Sequence, residues 1–199
     1  MNRREKSKNN ELRNLRVETR RKGKKELIDW KWILTILVIA FSLSILLSFI
    51  SEISIKKSTL IISIIVTLLF IFLGILFDII GVSVTASDES VFHSMSSRKV
   101  KASKVAVKFK KNAYKVSSFC CDVVGDICGV VSGASGIAIT TILVTDYSYN
   151  ILITTLIVTG IISSLTIGGK ALGKSFAINK SNIILYEFSK VVSIFYKCK

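Results

Sequence analysis

Four long apolar runs, separated by segments in which nearly all the charge is crowded, leave this chain few folds to adopt. Trp32 to Ile50 is 19 residues without a charge, or roughly 28 Å as a helix, enough to cross a bilayer. Ser58 to Phe77 is the second run, and past Asp78 its apolar character continues to Ala86. Phe119 to Thr145 is the third, interrupted by Asp122 and Asp126; Ile151 to Ile167 is the fourth, extending toward Ala171. Half of the 199 residues are hydrophobic and the formal net charge is +15. That division excludes a simple soluble globule, and the apolar mass excludes a disordered chain. The expected fold is an all-α membrane protein with four transmembrane helices and basic amphipathic interfacial helices.

The segments between the runs set an orientation. Residues 1–31 form a basic arm with 12 Lys and Arg against five acids. Ser51 to Lys57 carries two basic residues, Asp88 to Ser118 eight, Asp146 to Asn150 none, and the tail from Lys170 six. With both termini cytoplasmic, 26 of the 28 basic residues lie inside, as the positive-inside bias favours. The expected location is therefore the cell membrane, multi-pass. Charge alone would also allow the arm to bind nucleic acid. Placed directly before a span, it reads instead as a topology signal in contact with anionic lipid headgroups, and no nucleic-acid partner is expected. The implied organisation is the arm at 1–31, a first span and short external loop at 32–57, a core at 58–175 with a cytoplasmic helical hairpin at 88–118, and an amphipathic C-terminal helix at 176–199.

Two segments have helical amphipathic patterns. Ala102, Val105, Ala106, Phe109, Ala113 and Val116 recur at helical spacing, while Lys101, Lys104, Lys108, Lys111 and Lys115 occupy another face. In the tail, Ile184, Phe188, Val191, Val192 and Phe195 form a stripe, with Glu187, Ser189, Lys190 and Ser193 opposite. Such helices suit the inner membrane surface, and they also suit packing under the bundle.

Ionisable residues within spans carry the strongest functional signal, because each is costly facing lipid. Asp122 and Asp126 are four apart on one helix face, near Gly125, Gly129 and Gly133, a glycine stripe that admits a close neighbouring backbone. Equally, both aspartates would reach water if they lie at the end of the helix. Asp78 falls inside the bilayer if the second helix continues to Ala86, where Ser83, Thr85, Ser87 and Glu89 line its exit. An oxygen-rich, nitrogen-poor set suits a hard cation such as Mg²⁺. The single histidine, His93, supports no multi-His site, and Cys120, Cys121 and Cys128 read as small packing residues. No nucleotide loop, nucleophile elbow or HExxH motif is present, so no enzymatic activity is expected.

The order of these parts resembles the transmembrane domain of the cyclin-M and CorB/CorC-type magnesium and cobalt transporters. Ala86-Ser87-Asp88-Glu89-Ser90-Val91 resembles the small-residue-plus-Glu motif that closes that family's first domain helix. Ser96 to Lys111 is similar to its following helical segment, and Asp122-Val123-Val124-Gly125-Asp126 to its Asn-rich motif, with a one-residue gap. Gly169-Lys170-Ala171-Leu172-Gly173-Lys174 is similar to its closing Gly-Glu-x-x-Pro-Lys element. Asp replaces Asn, Lys170 replaces Glu and Gly173 replaces Pro. The first span is extra, and the expected form is truncated, without the CBS pair that usually follows. The resemblance implies a homodimer with a Mg²⁺-binding cavity open to the cytoplasm. The expected metal ligands are Asp122, Asp126, Ser83, Ser87, Glu89 and Asp78, in a protein that binds or transports divalent cations, magnesium foremost. The alternative is a non-transporting accessory or structural membrane protein that holds anionic lipid or a partner protein.

Overall fold

The computed structural model describes residues 30–56, 59–100 and 102–195. Expectations for the arm at 1–29, for Lys101 and for Cys198 lie outside the described residues. Among those described there are helices and no strands. They are α1 (Trp30–Lys56), α2 (Leu60–Ala86), α3 (Glu89–Ser97), α4 (Ser103–Lys111), α5 (Ala113–Ser118), a π-helical segment (Phe119–Gly125), α6 (Asp126–Tyr147), α7 (Ile151–Asn179) and α8 (Ser181–Phe195). Four stretches are long and apolar enough to cross a bilayer: Trp30–Ile53, Leu60–Ala86, Ala113–Asp146 and Ile151–Asn179. The protein is an all-α membrane protein, as its hydropathy dictates.

The chain forms two units that divide within α1, residues 1–37 and 38–199. Described residues of the first are Trp30 to Leu37, the opening turns of α1. In the second unit α2 is the hub, packing against the π segment, α6 and α7, while α6 and α7 also pack on each other. Hydrocarbon drives no helix together, so close approach rests on small residues. Gly81 illustrates this: a Cβ there would run into Cys121 Sγ and lie 3.1 Å from Cys120 Cβ and 3.2 Å from the Ser117 carbonyl. Gly74 would bring one to 3.1 Å from Cys128 Cβ.

The helices outlast the apolar runs. The second span continues past Phe77 to Ala86, which places Asp78 inside it. The fourth reaches Asn179, and α1 remains helical through Glu52 to Lys56, where a loop from Ser51 was expected. Charged residues are tolerated in these end turns because their heads reach water. Opposite the 88–118 segment, the turn after α6 is short: Ser148 adopts a left-handed φ of 55°, and Asn150 caps α7 by accepting from Leu152 N at 3.1 Å.

A smaller core forms at the other end of the bundle. Val84 of α2, Phe92 of α3, Ala106 of α4 and Leu185 of α8 are fully buried together. Asp88 caps α3 through Ser90 N at 3.0 Å, its own backbone N–H donates to Asn182 Oδ1 at 2.9 Å, and Phe109 stacks on Phe188 at 5.5 Å. The expected basic amphipathic helix is present with two changes. It breaks at Asn112, so α5 feeds straight into the third span. Lys110, outside the recognised lysine face, turns inward and donates to the Val84 and Thr85 carbonyls at 3.2 and 2.8 Å, closing the end of α2. Val105 and Ala106 are buried, and Lys104, Lys108, Lys111 and Lys115 are exposed, as the pattern requires. In α8 the buried face is turned relative to the expected stripe. Leu185 and Ser189 are buried and Val191 is exposed, because α8 is apolar around most of its circumference and its packing partners choose the face.

Candidate functional site

The third span enters the bundle through seven π-helical residues, Phe119–Gly125. A π turn carries an extra residue and often marks a functional site. Here it presents Cys120, Cys121 and Gly125 toward α2 and leaves Asp122 and Asp126 exposed. The expected glycine stripe is thereby divided. Gly125 lies against α2, with its Cβ position 3.6 Å from the Gly74 carbonyl, whereas Gly129 and Gly133 have open space. The cysteines, expected as small packing residues, are the face that meets α2.

Asp78 is the buried acid. It lies eight residues before the end of α2, roughly 12 Å along the axis, and is 3% exposed. Its backbone carbonyl accepts from Cys121 Sγ at 3.7 Å, and Ser117 Oγ lies 3.9 Å from the same sulfur. The carboxylate Oδ2 is buried without a hydrogen bond. Lys174 Nζ stands 3.6 Å from it, close enough for an ion pair. One turn earlier on α7, Lys170 Nζ donates to Asp126 Oδ1 at 2.9 Å and lies 3.8 Å from the Cβ position of Gly125. Residues at i and i+4 on a helix are about 5–6 Å apart between Cβ atoms. Lys170 and Lys174 therefore form two rungs that tie α7 to the third span and to α2.

The six expected ligands do not form one cluster. Asp78 and Asp126 pair with successive lysines of α7, Lys174 and Lys170. Ser83 is fully buried, but its hydroxyl donates to the Ile79 carbonyl at 2.7 Å and lies 3.5 Å from the Ala177 carbonyl. Ser87 Oγ donates to Val84 O at 3.1 Å, Glu89 pairs with His93 at 3.2 Å, and Asp122 is exposed. Among the described residues no three His, Cys, Asp or Glu side chains converge as a metal-binding group. Three residues that complete the site, Cys121, Lys170 and Lys174, were not among the expected ligands: Cys121 was expected to pack, and the two lysines stood out only within the Gly169–Lys174 element.

A groove of about 500 Å³ lies elsewhere, between α1 and α6, lined by Ser48, Ser51, Glu52, Val131, Ser135 and Thr141 among others. It contains none of the acid–lysine pairs. Comparison with protein-family models, with characterised proteins and with solved structures finds no match to this chain.

Proposed function

We propose that the protein binds a hard divalent cation, magnesium foremost, at the basic end of its three-helix core, and serves its binding or transport across the cell membrane. The observation that carries this reading is Asp78: a carboxylate inside a span, nearly sealed from solvent, with one oxygen that makes no hydrogen bond. Such a group is costly to keep and marks a pathway or binding role. Asp126 is the second oxygen donor, paired with Lys170 one turn before Lys174 on α7. Magnesium keeps most of its waters and is commonly held by one or two carboxylates, so a sparse donor set suits it. Both termini lie in the cytoplasm in this reading, with Asp146 to Asn150 outside. A second copy packs on the third span where Gly129 and Gly133 leave open space.

A second reading has its own support. Ser83, Ser87 and Glu89 are engaged elsewhere, and lysines already neutralise both acids, as in an accessory membrane protein that holds anionic lipid through Lys104, Lys108, Lys111 and Lys115.

Thermal unfolding of the detergent-solubilised protein separates the two, since a ligand of the native state stabilises it by mass action. The cation reading expects millimolar Mg²⁺ to raise the Tm, Asp126→Asn to weaken the response and Asp78→Asn with Asp126→Asn to remove it. Asp146→Asn should leave it intact. An unchanged response in the double variant turns the assignment to the accessory reading. Magnesium flux in proteoliposomes then distinguishes transport from binding.

A further inference from the structure

The acid–lysine rungs are unusual for a cation site, because the charge a cation would neutralise is already neutralised. Lys174 ends 3.6 Å from Asp78, yet its side chain is 53% exposed while that of Asp78 is 4% exposed. One partner is fixed and the other has an open route to water. At the second rung the exposures are reversed, with Lys170 at 18% and Asp126 at 68%. Each rung thus pairs a more enclosed charge with a more exposed one, and the exposed charges, Lys174 and Asp126, sit on different helices.

We infer that Lys174 is a specificity-determining residue: a tethered counter-cation that an entering ion must displace from Asp78. The inference rests on the cation-binding reading above. A tethered ammonium competes at a high effective concentration, because it cannot diffuse away. A monovalent ion offers a carboxylate no more charge than the ammonium does, so the tethered group prevails. A divalent ion carries twice the charge and outcompetes the ammonium for the carboxylate. Displacement therefore filters by valence without a rigid ligand cage. It also accounts for the lack of a hydrogen bond at 3.6 Å, a separation that holds the lysine by charge with no directional bond to break.

The filter also predicts what its removal does. If the ammonium occupies the carboxylate about nine-tenths of the time, deleting it raises apparent affinity about tenfold.

The test uses the full chain in detergent at constant ionic strength, with N-methylglucamine as the inert cation, and follows thermal unfolding against Mg²⁺ and against K⁺. The parent should respond to Mg²⁺ and not to K⁺. Lys174→Gln should respond at about tenfold lower Mg²⁺ and acquire a K⁺ response. Lys174→Arg, which keeps the charge, should behave as the parent. Should Lys174→Gln fail to accumulate in the membrane, Mg²⁺ should raise amine-reactive labelling of Lys174 in the parent, and unchanged labelling overturns the inference. If the parent responds to Mg²⁺ and the Gln variant matches it in half-saturation and selectivity, the counter-cation inference is overturned and the cation site stands. If neither parent nor variants respond to Mg²⁺, the cation reading falls and this inference with it.

Discussion

The first and second spans are helices of equal length, 27 residues each, and their fates in the fold differ. From Val38 onward α1 buries one described side chain, Ser51, whereas α2 buries nine residues from Ser63 to Val84. Both are apolar enough to sit in a bilayer, so hydropathy does not separate them. Small residues do. The α1 helix has no glycine and keeps Phe41, Ile45, Leu46 and Phe49 exposed. The α2 helix sets Gly74 and Gly81 against the third span. Lipid tails are as apolar as leucine, so burying a leucine against another helix gains little, and contact between backbones decides which spans pack.

The comparison breaks most sharply at Gly81. Gly81→Leu should prevent assembly of the core, because the side chain must displace Cys120, Cys121 and the Ser117 carbonyl together. Loss of the protein from the membrane fraction and a collapsed Tm would show it, while Ser44→Leu in α1 should change stability by less than about 0.5 kcal/mol.

Lys174→Met should cost about 3 kcal/mol by leaving Asp78 buried without its counter-charge. Adding Asp78→Asn should recover much of that loss, and a double-variant cycle of unfolding free energies measures the coupling.

Lys110→Met should cost about 1 kcal/mol, since it removes charge-assisted bonds to the last carbonyls of α2. Amide exchange should rise at the end of α2 and in α4 and stay unchanged at Gly74.

The smallest effect belongs to the first span. Ser51 and Ser135 hydroxyls lie 3.0 Å apart, and membrane hydrogen bonds of this kind average about 0.6 kcal/mol. Ser51→Ala should shift the Tm slightly and leave the Mg²⁺ response of the parent untouched.

The sequence revealed those parts of the fold that depend on composition along one helix. The four spans follow from runs of apolar residues, and Val105 and Ala106 were recognisable as core positions from spacing alone. Pairing between helices was not recognisable. Nothing in the segment around Lys170 says that it meets Asp126, 44 residues earlier in the chain. The inward turn of Lys110 depends on free carbonyls at the end of a different helix. That the cysteines meet α2 was not legible, because the π segment breaks the period of 3.6 residues per turn at Phe119–Gly125. At the candidate site, Asp78 was legible as an ionisable residue in a span. The hydroxyls of Ser83 and Ser87 bond their own helix backbone, an arrangement that residue spacing does not reveal.

The π segment also works as an angular adjustment in the third span. Each helical residue advances the chain by about 100°. Removing one residue between Phe119 and Gly125 would restore an ordinary helix and rotate everything beyond it by that angle. Asp126 would leave Lys170, and Gly125 would leave Gly74. The span would still insert, with unchanged hydropathy and length to spare, but it would present the wrong side to both of its neighbours. The single surplus residue sets the phase between the part of the third span that docks on α2 and the part that runs on to Tyr147. A chain lacking it would be a correctly inserted protein whose core is out of phase.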